Sequence, residues 1–412
     1  MSTSTKLKDE LRIFTPIGQL GQGFNENIFW DTVESGCDAV ICDGVSTNSG
    51  PGRLALGLLN VPYFRLAKDL ELLAKAAHLY NVPLLIGSIA GDGENAHVDM
   101  AAEIVTEAVK RNGMLYDRSS MTDGLISPYG GGVSEINEND IDSSTRVVAQ
   151  IGLEPYLKAV RENPEFGIIV GGRACDPAPY AAFCIFVASK TLELPIPEGK
   201  IMEYGAQCSI PKSREALAII RHDSFDMIHL EPKSKFSTLS VASFSLFLDE
   251  RSVRVANPKF VTEPEGKYTS TVKLEGAKAN GYHTIFLGAV RDPILIQHFD
   301  SWIGTYVKER ILAFGYEYDL KIHKYGINGV MGPLEPEASV GMEVSIAGQA
   351  RAATQDRADQ VASMAKYGLT HAPYAGQLAT AGKRSAGVAF HTLRDPDGSM
   401  PGVLCVPHRT QG

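Results

Sequence analysis

The sequence predicts an α/β protein, with a parallel-sheet, Rossmann-like N-terminal domain and a mixed α+β C-terminal domain. Two observations carry this. Through the first 190 residues, short apolar, β-branched runs end in polar, glycine-rich loops and give way to helical periodicity, several times over. That alternation builds parallel sheets with crossover helices. From about residue 210 it is replaced by short β-rich runs near 227, 251, 268 and 283, with helical stretches over 292–315 and 352–369. The expected organisation is one domain over residues 11–209, a second over 210–390, and a tail over 391–412.

The elements follow in order. Residues 11–16 read as a first strand. The glycines Gly18, Gly21 and Gly23 after it are spaced GxxGxG rather than GxGxxG, so they predict a close-packed loop more than a dinucleotide fingerprint. A helix over 27–35 leads to a strand over 37–43 that ends in Asp43, and the loop beyond carries Ser46 and Asn48. Leu66, Leu70, Leu73 and Ala77 mark a helix by their spacing. The strand at 83–87 then opens into a loop with Ser88, Asp92, Glu94, His97 and Asp99. Residues 101–110 are helical, and a further helix is expected from about 140 to 151. The run 166–170 is a buried strand broken by Gly171-Gly172, with Arg173 and Asp176 immediately after and Pro177 suited to a helix start. A short helix over 199–207 carries Glu203.

Composition narrows the classes. The chain has 412 residues, 44% hydrophobic and 21% charged, enough apolar material for two or three ordinary cores. A net charge of −9 without a Lys/Arg cluster speaks against a nucleic-acid binder. No apolar stretch approaches the length of a membrane span, and no secretory leader is evident at the start. The six cysteines form no CxxC pair and read as reduced thiols, so a cytoplasmic location is expected.

In an open α/β sheet, ligands sit outside the carboxyl ends of the strands. The expected site therefore draws on the loops after several strands: Asp43 with Ser46 and Asn48, Ser88 with Asp92, and Arg173 with Asp176. Arg173 is suited to a carboxylate or another anion, although an Arg–Asp brace of the loop explains it as well. Removing Arg173 is expected to abolish ligand binding while changing stability little. Asp92, Glu94, His97 and Asp99 include groups that could ligate Mn, Fe or Zn, but no HExxH or HxH spacing is present, and a solvated loop is the favoured reading. No metal is assigned and the cofactor is left open. His371 is a general acid/base candidate, or a helix cap that feels the dipole.

An ordered set of motifs resembles the acyclic terpene utilisation (AtuA-like) family, formerly a domain of unknown function. The stretches are 16–24, Asp43 with Ser46-Thr47, 68–73, 85–88, Gly171-Gly172-Arg173 with Ala174-Cys175-Asp176, 202–206, 272–276, 291–296, 325–332 with 334–337, and 371–374. They cover about residues 13 to 385. The resemblance implies a catabolic protein acting on small acids or acyl groups, sometimes accompanied by a small partner subunit. The expected function is a lyase of the hydratase/dehydratase type on a small carboxylic acid or acyl substrate. Arg173 would bind the acid, and Asp43, Asp176 or His371 would move the proton, with Ser46, Asn48, Ser88, Asp92 and Glu203 lining the site. The alternatives are an acyl or CoA transferase, with Glu203 forming the adduct, and a non-catalytic metabolite-binding subunit. A homo-oligomer is expected, without nucleic-acid or membrane partners.

Overall fold

A computed structural model describes residues 10–44, 50–114, 142–191, 209–211, 214–233, 235–236, 245–256, 273–277, 281–308, 315–337, 340–376 and 390–393. The chain divides into two compact units, the first reaching Lys278 and the second beginning at Ala279.

The first unit runs β1 (Leu11–Thr15), α1 (Glu26–Glu34), β2 (Ala39–Asp43), α2 (Gly50–Leu56), α3 (Tyr63–Tyr80), β3 (Leu84–Gly87) and α4 (Asn95–Arg111). It continues with β4 (Arg146–Gln150), α5 (Glu154–Glu162), β5 (Ile168–Val170) and α6 (Ala178–Thr191). Then come β6 (Ser209–Ile210), β7 (Ala216–Ile220), β8 (Ser224–His229), β9 (Lys235–Phe236), β10 (Ser245–Phe247), β11 (Ser252–Ala256) and β12 (Lys273–Ala277). Eight strands form one mixed sheet in the order β10-β11-β8-β7-β1-β2-β3-β5. β1, β2, β3 and β5 are parallel neighbours, whereas β7 joins β1 antiparallel and leads into the antiparallel β8, β11 and β10.

Both faces of the parallel half are covered, which is why β2 and β3 read as unbroken apolar runs. Phe14, Val40, Cys42, Leu84 and Ile86 pack with Phe29 of α1, Leu66, Leu70 and Leu73 of α3, and Ala101 and Ile104 of α4. The alternate residues Ile13, Ala39, Ile41 and Leu85 pack with Tyr180, Phe183 and Cys184 of α6. α1 starts where the Asn25 side chain accepts from the amides of Asn27 and Ile28.

Two sequence expectations are corrected here. The boundary near 210 is displaced to 278, because the alternating runs after 210 extend the first sheet instead of founding a second one. Antiparallel strands commonly flank a parallel sheet, and periodicity cannot tell which sheet a strand joins. Residues 146–150, expected within a helix, are β4, paired antiparallel with β12 in a separate two-stranded ribbon. β6 and β9 form another small pair.

The second unit contains β13 (Tyr282–Val290), α7 (Pro293–Gln297), α8 (Phe299–Trp302), a π-helical stretch Ile303–Lys308, β14 (Tyr318–Tyr325), β15 (Val344–Ala352), α9 (Gln355–His371) and β16 (Phe390–Leu393). Its antiparallel sheet has the order β14-β15-β13-β16. With a helical segment after β13 and another after β15, this is a split βαβ arrangement. Phe286, Val290, Ile346 and Ala350 pack with Phe299, Trp302, Val361, Ala365 and Leu369 to make its core. The single helix expected over 292–315 is broken at His298, which ends α7. No helix among the described residues is long and apolar enough to cross a membrane.

Candidate functional site

The loops leaving the carboxyl ends of β1, β2, β3 and β5 are stitched together by backbone hydrogen bonds. Leu20 N donates to Gly44 O at 3.2 Å, Gly44 N to Gly87 O at 2.6 Å, Ser88 N to Gly172 O at 3.0 Å, and Ile89 N to Gly171 O at 3.2 Å. Such an approach requires glycine at Gly93, where φ is +63° and a Cβ would fall on the Arg173 backbone nitrogen. The β3 loop also holds two non-glycine residues in the left-handed region, Ser88 at +46° and Ala90 at +59°. Conformations of this kind cost free energy and persist only where the surroundings enforce them.

Ser88 is buried, and its hydroxyl is fully engaged. Oγ accepts from Ala174 N at 3.1 Å and donates to Ala174 O at 3.2 Å. It binds the β3 loop to the β5 loop. Asp43 closes β2 and is buried. Burial, with the Asp43 charge as a smaller contribution, pushes the Tyr156 phenol above its ordinary range. A Cβ at Gly171 would collide with the Tyr156 hydroxyl.

Arg173 is 5% exposed. Its Nε donates to Glu275 Oε2 of β12 at 2.9 Å, and its Nη2 forms an ion pair with the same oxygen at 2.8 Å. Its Nη1 is buried, and no described residue accepts from it. The partner strand β4 repeats the theme with opposite charges. Arg146 Nε donates to Glu94 Oε1 at 2.6 Å, and Arg146 Nη1 donates to Ala55 O at 3.1 Å. The β4–β12 ribbon is thus tied to the rim loops by two ion pairs, one to the β3 loop and one to the β5 loop. Because removal of either partner from a buried pair leaves an uncompensated charge, the Glu275 pairing argues against the expectation that Arg173 could be lost with little effect on stability.

Asp92 is 1% exposed. Its Oδ1 accepts from His97 Nδ1 at 2.7 Å and from Glu94 N at 3.1 Å, while no described residue donates to Oδ2. His97 lies in the first turn of α4 and is buried. The Asp92 hydrogen bond lifts its imidazole above the ordinary value against the opposing effect of burial. Ligand-type atoms of Asp92, Glu94 and His97 lie within 4.8 Å of one another.

Asp176 is half-buried beside the exposed Cys175. His371 ends α9 in the second unit, exposed, with its ring 4.5 Å from that of Tyr367. Ser46, Asn48 and Glu203 lie outside the described residues. Cys37 and Cys42 are free thiols; burial raises Cys37 to about 12 and takes Cys42 higher still. The loop with Gly21 and Gly23 is filled by the chain itself, since both amides donate to Asp69 Oδ2 of α3 at 2.7 and 3.2 Å. Sequence reasoning missed Glu275 and Arg146, whose partners are 102 and 52 residues away, and no local pattern reports such pairs. It also did not foresee that His97 and Asp92, five residues apart, would join through a helix's first turn. Comparison with protein-family models, with curated proteins and with solved structures returned no match to this chain.

Proposed function

We propose that the chain is a catabolic enzyme of the hydro-lyase type, taking a small carboxylic acid or acyl substrate at the carboxyl edge of its parallel strands. The observation that carries this reading is the buried Arg173 guanidinium, anchored through Nε and Nη2 by Glu275 while Nη1 has no acceptor among the described residues. A buried, oriented N–H of a permanent cation suits a carboxylate, and its desolvation makes the contact stronger than in water. In the proposed dehydration, a carboxylate removes a proton from the carbon next to the acid group. The C–O bond on the neighbouring carbon breaks, a C=C bond forms, and the hydroxyl leaves as water after taking up a proton. Asp43, buried at the end of β2, is assigned the carbon proton, and Asp176, on the β5 loop, is the second carboxylate.

The Rossmann-like description of residues 11–191, the affinity with the acyclic terpene utilisation family, a cytoplasmic location and a homo-oligomeric state belong to the same proposal. They rest on the crossover helices, the ordered motifs and the free thiols. The test is titration calorimetry of C3–C6 hydroxy- and unsaturated carboxylates and their thioesters, followed by incubation in deuterated water. At least one compound should bind and take up deuterium at carbon, and Arg173→Lys, which keeps the charge but loses the fork, should weaken it tenfold or more. Binding unaltered by Arg173→Lys, or binding without exchange in any compound, would overturn the lyase reading.

A further inference from the structure

The geometry points to a divalent-cation site at Asp92, Glu94 and His97, on the loop between β3 and α4. Three ligand-type side chains from a six-residue stretch converge there, with their atoms within 4.8 Å of one another. Local chain geometry produces this. Asp92 sits in the loop that Gly91 and Gly93 turn through positive φ, Glu94 stands at the N-cap position of α4 with its side chain not used as a cap, and His97 follows in the first helical turn.

A second observation points to a missing partner: Asp92 is 1% exposed, yet its Oδ2 receives no hydrogen bond from the described residues. A buried carboxylate oxygen is costly to leave unsatisfied. The spacing of the other groups fits an ion as well. Two ligands each about 2.1 Å from one metal are about 3.0 Å apart at the right angle of an octahedral site and about 3.4 Å apart in a tetrahedral zinc site. His97 Nδ1 and Asp92 Oδ1 are 2.7 Å apart, joined by a proton. Replacing that proton with a cation needs only a small opening of the pair. Arg146 holds Glu94 through Oε1 at 2.6 Å, the kind of outer contact that orients a ligating carboxylate.

Two carboxylates and one imidazole suit Mn²⁺, Fe²⁺ or Zn²⁺ better than Ca²⁺ or Cu⁺. Three protein ligands also leave coordination positions open to water or substrate oxygen. The inference stands apart from the lyase reading, because it is tested without substrate.

The experiment is a titration of chelator-stripped full-length protein with MnCl₂, followed by calorimetry and by the electron paramagnetic resonance of free Mn²⁺, and repeated with ZnCl₂. One ion per chain is expected. Asp92→Asn should lower affinity at least tenfold. Since Asp92 is buried and its variant could fold poorly, the half-buried Glu94→Gln is measured beside it, with circular dichroism as the check on folding. A tenfold loss in folded Glu94→Gln supports the site. Wild-type protein that takes up neither ion stoichiometrically, or a folded Glu94→Gln that binds as tightly as wild type, overturns it.

Discussion

Arg173→Ala is the perturbation whose size the structure fixes best. It removes the Nε hydrogen bond and the Nη2 ion-pair contact that reach Glu275 Oε2 at 2.9 and 2.8 Å. Glu275 would keep its charge with 14% of its side chain exposed. Breaking a buried pair by deleting one partner costs about 3–5 kcal/mol. The residual exposure of Glu275 lets water share the charge, which puts the expected loss at about 3 kcal/mol. Deleting both partners with Arg173→Ala/Glu275→Ala removes the orphaned charge, so the double variant should be more stable than the sum of the singles by about 1–3 kcal/mol. The chain has two tryptophans, Trp30 in the first unit and the buried Trp302 in the second. In a Trp302→Phe background, urea unfolding followed by Trp30 fluorescence reports the first unit alone, which avoids treating two units as one transition. A loss below about 1 kcal/mol for Arg173→Ala, or additivity within about 0.5 kcal/mol, would refute the claim that the pair clamps the ribbon to the rim.

Three further outcomes follow from named contacts. Asp69→Ala strands the Gly21 and Gly23 amides, each orphaned donor costing about 1–3 kcal/mol; the Trp30 transition should shift to lower urea, and an unchanged midpoint would contradict the internal role of that glycine loop. Gly348→Ala drives a methyl group into the ring of the fully buried Phe286 and should cost the second unit about 1–3 kcal/mol by overpacking, read from Trp302 fluorescence in a Trp30→Phe background, where wild-type stability would contradict the packing. Burial pushes His229 down from 6.5 to about 4, so the unfolded chain takes up the proton first as pH falls. Stability of the first unit should therefore decline between about pH 6.5 and 4 by at most ~1.4 kcal/mol per pH unit from this group, and His229→Gln should flatten the curve; equal slopes in both proteins would contradict the assignment.

What the sequence made legible was local. β2 and β3 were readable because strands buried on both faces are continuous apolar runs, β5 because its short apolar run ends in glycines although it lies half-buried at the sheet edge, and α3 and α4 because their apolar residues fall at helical spacing. The carboxyl-edge loops were readable for the same reason, as they follow those strands. What could not be read was long-range. Nothing near Arg173 announces Glu275, and nothing near Arg146 announces Glu94, because an ion pair leaves no periodicity. β7, β8 and β11 are short runs buried at most positions, and such a run does not say which sheet it joins, so their membership of the first sheet is hidden and the sequence places the boundary near 210. Ser88 shows the limit for site residues. Its position at a strand's carboxyl end made it a candidate ligand group, yet its hydroxyl is spent on Ala174. Asp92 and His97 were both visible as polar loop residues, but their pairing depends on where α4 begins.

The central claim, that the carboxyl edge of the parallel strands binds a small acid through Arg173, is tested most directly by a crystal structure with such an acid bound. The account predicts the ligand's carboxylate about 2.9 Å from Arg173 Nη1, with Glu275 still holding Nε and Nη2. A ligand bound away from Arg173, or an Nη1 satisfied by a group of the chain itself, would contradict it.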